Sequence, residues 1–130
     1  MNARRLLLLR DPASAATPAW QELEQRLPQA ERIGDRETAA RCLQSAPYDL
    51  IVTDTVLPGG GPFGLLGELI ARQYDTTVVV HFQLESGLRW LKLFEKGEFD
   101  LDAEPMTSQR FFRWLEEWLE DPVPASTHAA

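Results

Sequence analysis

The chain has 130 residues, 44% of them hydrophobic and 25% charged, the balance of one ordinary globular domain rather than a disordered segment. Its formal net charge of −7 leaves no basic patch to neutralise phosphates, which argues against nucleic-acid binding. The apolar run Leu6 to Leu9 is too short for a membrane span or a signal-peptide core, and the single cysteine, Cys42, cannot form an internal disulfide, so a cytoplasmic protein is expected.

Taken in order, Leu6-Leu7-Leu8-Leu9 reads as a first buried strand, ended by Arg10-Asp11 and blocked by Pro12. Thr17-Pro18 is a helix start, an N-cap followed by Pro at the first helical position. Trp20, Leu23 and Leu27 then share one helical face, and Pro28 stops the helix. Ala30 to Ile33 is a weak strand, expected at the sheet edge. Asp35 can cap a second helix with Ala39, Cys42, Leu43 and Ala46 inward, where Cys42 reads as a small core residue.

Asp49 to Asp54 is the central strand, a β-branched apolar run without alternation, as in a strand buried on both faces of a parallel sheet. Thr55-Val56-Leu57-Pro58-Gly59-Gly60-Gly61 forms the loop after it. A third helix is expected over Phe63 to Gln73, and a fourth buried strand over Thr77 to Phe82. A fourth helix is expected from about Glu85 to Lys96, ended by Gly97. Phe99 to Ala103 reads as a short fifth strand before Glu104-Pro105. Thr107 or Ser108 caps a last helix carrying Phe111, Leu115, Trp118 and Leu119, and residues 121–130 read as a loose tail.

Five alternations of strand and helix predict an α/β domain over residues 1–120. Its expected form is a flavodoxin-like, doubly wound, five-stranded parallel sheet in the order 2-1-3-4-5, with helices on both faces. Ligands and chemistry in such a sheet lie past the carboxyl ends of the strands, where Asp54 stands.

Asp-Leu-Ile-Val-Thr-Asp at 49–54, with Leu57-Pro58-Gly59 following, resembles the third strand and loop of response-regulator receiver domains of two-component phosphorelay signalling. The resemblance runs over roughly residues 4 to 120 as element order and implies that Asp54 stands at the phosphoacceptor position. In the family, magnesium is held by an acidic pair and the acceptor, a Ser or Thr hydroxyl bonds the phosphoryl oxygen, and a Lys neutralises its charge. Here the acidic pair falls on Arg10 and Asp11, the hydroxyl position on Phe82 or, one residue earlier, His81, and the Lys-Pro on Glu104-Pro105. The aromatic switch position falls on Leu101.

One acid and one base have thus traded places: Asp11, Asp54, Glu104 and Arg10 keep the family's three acids and one base. Arg10 either reaches across to pair with Asp54 or Glu104, or points to water. Magnesium, if bound at all, would keep Asp11, Asp54 and the Val56 carbonyl, and no other cofactor is expected. Gly59-Gly60-Gly61 lacks the Lys of a phosphate cradle, and two lone histidines, His81 and His128, give no metal signature.

A degenerate pseudo-receiver follows, not an enzyme, acting by protein contact without an output domain on this chain. The alternatives are a single-domain regulator still phosphorylated on Asp54 with magnesium, and a small-ligand-binding or enzymatic domain on the same frame. The resemblance places a partner or homodimer surface on the fourth helix, fifth strand and fifth helix, with Trp90, Phe94, Leu101 and Trp114 as candidates. The other reading of those aromatics is a thick core.

Overall fold

A computed structural model describes residues 4–13, 16–45, 47–54, 75–95 and 98–120. Val56, the glycine loop, the third helix expected over 63–73 and the tail from 121 lie outside the described residues.

The strands are β1 (Leu6–Leu9), β2 (Glu31–Ile33), β3 (Leu50–Asp54), β4 (Thr77–Leu84), β5 (Gly87–Glu95) and β6 (Glu98–Phe99). The helices are α1 (Pro18–Arg26), α2 (Arg36–Ser45) and α3 (Ser108–Glu120). The sheet order is β2-β1-β3-β4-β5-β6, so the expected order 2-1-3-4-5 holds, with a sixth strand added. The first four strands are mutually parallel, whereas β5 and β6 are antiparallel to their neighbours.

Local chemistry sets the helix starts as expected. The Thr17 hydroxyl accepts from the Trp20 amide at 3.1 Å, with Pro18 next. Asp35 accepts from the Thr38 amide at 2.7 Å, and Thr107 from the Arg110 amide at 3.3 Å.

Strand alternation splits the core into two layers. Leu6, Leu8, Leu50, Val52, Val79 and Trp90 meet Trp20 and Leu23 of α1, Leu27 just after it, and Phe111, Phe112 and Leu115 of α3. Leu7, Leu9, Ile51, Val78 and Phe94 meet Ala39 and Leu43 of α2, with Cys42 packed at the margin. Each fully buried leucine contributes on the order of 1.5–3 kcal/mol.

Two expectations are corrected. The segment 85–96 is not a helix: Glu85-Ser86 turn, and β5 returns along β4 with His81 opposite Trp90 and Leu84 opposite Gly87. Gly87 has φ +121°, a conformation that favours glycine. β5 carries an irregularity near its end. Val78 pairs with Phe94 while Val79 pairs with Lys92, so Leu93 is an extra residue and Phe94 faces the opposite layer from Trp90.

The fifth strand expected over Phe99 to Ala103 is the two-residue β6, followed by a turn at Leu101-Asp102. The place beside β4 was already taken by β5. Met106 then bridges Trp90 with paired backbone bonds of 2.9 and 2.8 Å.

Candidate functional site

The register lines up one row of side chains across the carboxyl ends of the strands. Leu9 is level with Thr53, which sets Arg10, the next residue, beside Asp54. Asp54 pairs with His81, His81 with Trp90, and Trp90 with Met106. Alternation from Leu8, Val52 and Val79 puts Arg10, Asp54 and His81 on the α1–α3 face.

Asp54 is partly buried. Burial holds its carboxyl above the ordinary value, opposed only in part by the Arg10 guanidinium. Arg10 also donates through Nη1 to the Asp11 carbonyl at 3.2 Å.

Asp11 is spent on a local turn: its Oδ1 accepts from the Ala13 amide at 2.9 Å. Among the described residues no group of three His, Cys, Asp or Glu side chains could hold a metal. Of the expected magnesium ligands, Asp54 and Asp11 are described: the Arg10 guanidinium acts on the first, and the second bonds its own loop.

The register resolves the position read as Phe82 or His81. His81 stands beside Asp54, and Phe82 lies one step further along the hairpin, opposite Arg89. His81 is 2% exposed. Its Nε2 and the Thr17 hydroxyl are 3.2 Å apart, tying the sheet to the start of α1. Its ring stacks on Trp90 with centroids 3.8 Å apart and lies 5.9 Å from Trp20. Burial lowers its pKa to about 4, against an opposing pull from the Arg89 backbone, so it is neutral at pH 7. Its Nδ1 is buried without a hydrogen-bond partner among the described residues.

Glu104 and Pro105 are exposed and lie on the far side of β5 from Asp54. Met106 stands three strands from Asp54, about 14 Å at ordinary strand spacing. The expected exchange of charge between Arg10 and Glu104 around Asp54 is not assembled.

The aromatic candidates also separate. Trp90 and Phe94 are fully buried, so the structure assigns them to the core rather than to a surface. The Trp90 indole N–H donates to the Ser108 hydroxyl at 2.9 Å. Leu101 is 94% exposed, and Trp114 is half-buried with Lys92 over its ring. Sequence reading missed the Thr17–His81 contact. The Ser86-Gly87 turn signal between two apolar runs could have revealed the hairpin that creates the His81–Trp90 stack.

No family model and no curated protein matches the chain. Among solved structures it is similar to the N-terminal domain of an uncharacterized protein from Wolinella succinogenes. The two are 20% identical, with a TM-score of 0.59 over 90% of this chain and 94% of the other. That likeness concerns the fold alone, an α/β fold consistent with a flavodoxin-like domain. Among the described residues no helix is long and apolar enough to cross a membrane.

Proposed function

We propose that this chain is a degenerate receiver-like signalling domain of two-component type, acting in the cytoplasm through a protein partner or a second copy of itself. Phosphoryl transfer to Asp54 is lost, and the domain is not an enzyme. The observation that carries the reading is His81: a buried, neutral imidazole stacked on Trp90 takes the place beside the acceptor carboxylate where the family offers a hydroxyl.

A phosphoryl group brings about −1.5 to −2 charge and three acceptor oxygens that need donors. The His81 Nε2 is engaged with Thr17, and Glu104 stands where the family places its Lys in sequence but lies beyond β5 in space. Arg10 supplies the nearby positive charge in place of a metal ion.

The contact surface is then the outer side of β5 and α3. Lys92 links Asp100, next to the exposed Leu101, with Trp114: it reaches Asp100 at 4.0 Å and lies 5.6 Å from the Trp114 ring centre. The test is incubation with acetyl phosphate and magnesium, read by intact mass beside Asp54→Asn. No adduct on a folded native chain supports the reading. An adduct on the native chain that Asp54→Asn abolishes favours a working phosphoacceptor.

A further inference from the structure

Helix α3 turns Phe111, Phe112 and Leu115 to the core. At about 100° per residue, its opposite side carries Arg110, Arg113, Glu117 and Glu120, all exposed. They stand three, four and three residues apart, so they form one row along the helix, two cations and then two anions. The ion pairs among the described residues use the neighbouring Glu116, with Arg26, and none of these four.

This order of charge is unfavourable within one chain. A helix favours anions at its N-terminal end and cations at its C-terminal end, yet α3 has no acidic residue in its first turn and no basic one in its last. Arg110 and Arg113 are like charges one turn apart, as are Glu117 and Glu120. The row is nevertheless its own complement. Reversed end to end about Leu115, Arg110 falls on Glu120 and Arg113 on Glu117. A second α3 laid antiparallel therefore meets every cation with an anion and sets the two helix dipoles in opposition. The row itself sums to zero charge on a chain of −7, so two copies meet here without an excess of like charge. Trp114, half-buried, flanks the row with apolar surface.

We propose that two copies of this chain pair through α3, antiparallel about a two-fold axis at Leu115, with Arg110 opposite Glu120 and Arg113 opposite Glu117 of the second copy. A second copy is then the occupant of the α3 side of the contact surface. The pairing rests on the signalling reading for that surface and not for the state of Asp54. Exposed ion pairs are individually weak and screened by salt, so the dimer is a weak one that added salt dissociates.

The experiment is sedimentation velocity of the full chain over rising concentration, at about 0.02 M and about 0.5 M salt. Concentration-dependent dimer is expected at low salt and its loss at high salt. Arg113→Glu and Glu117→Arg, each checked for fold by circular dichroism, set like charges opposite one another twice in their own homodimers. Each should associate about tenfold more weakly than the native chain. An equal mixture of the two variants restores opposite charge at both contacts and should dimerise about as well as the native chain. A native chain that stays monomeric at low salt, single variants that associate as the native chain does, or a mixture no better than its components would overturn the proposal. Phosphoryl uptake by Asp54 is read separately by mass, so failure of the pairing and failure of the signalling reading are distinguishable.

Discussion

His81 on β4 lies flat against Trp90 on β5, centroids 3.8 Å apart and planes 27° apart, on the strand next to Asp54. The stack continues to Phe111 of α3 at 4.2 Å, while His81 reaches Thr17 at the start of α1. Packing at this site therefore joins the row of side chains beside Asp54 to two helices.

Trp90 should dominate local stability. It is fully buried and its indole N–H is bonded to Ser108. Trp90→Ala should cost about 3–5 kcal/mol and Trp90→Phe clearly less. Urea denaturation of both variants checks this. Equal, small losses would mean that the hairpin is not packed as described.

Stability should fall on mild acidification. The folded chain holds His81 near pKa 4, below its ordinary 6.5, so between those values the unfolded chain takes up a proton that the folded chain refuses. Stability is then fully present above 6.5 and is lost as the pH drops towards 4, by on the order of 2 kcal/mol. His81→Phe should flatten this slope, measured by urea denaturation at about pH 7 and about pH 4.5. Glu31 acts in the same direction at lower pH. The Tyr48 hydroxyl donates to it and Arg5 pairs with it, holding its pKa below the ordinary 4.5.

Tyr48→Phe should remove that hydroxyl bond at the other end of the sheet and cost about 1–2 kcal/mol. Glu31→Gln in the same background should then add little. A double-mutant cycle read by denaturation would show coupling between the two, and strictly additive losses would contradict the contact.

Gly87→Ala should destabilise the hairpin by about 1 kcal/mol or more, because an L side chain is strained at φ +121°. Backbone chemical shifts should report extended conformation from Leu88 to Glu95 in the native chain. Helical shifts there would contradict β5.

The sheet order was legible because strands β1, β3 and β4 are buried apolar runs of Leu, Ile and Val, each ending at a polar residue or turn. The helix starts at Thr17, Asp35 and Thr107 were legible because capping is local chemistry. The segment 87–95 was not. Leu88, Leu91, Trp90 and Phe94 fit helical spacing, but the four-residue step from Trp90 to Phe94 suits a strand of period two as well, and the extra residue Leu93 then turns Phe94 to the opposite layer. That error carried Trp90 and Phe94 onto an imagined surface and placed Glu104 next to a strand it never joins. Asp54 and Arg10 were readable because both sit directly after their strands, whereas the choice between His81 and Phe82 needed the register.

The measurement that tests the pseudo-receiver reading most directly is intact mass after acetyl phosphate and magnesium, on the native chain, Asp54→Asn and His81→Thr, each checked for fold by circular dichroism. The native chain is expected to gain no phosphoryl adduct. An adduct on the native chain that Asp54→Asn abolishes would contradict the reading, and an adduct on His81→Thr alone would identify the imidazole as the group that blocks the chemistry.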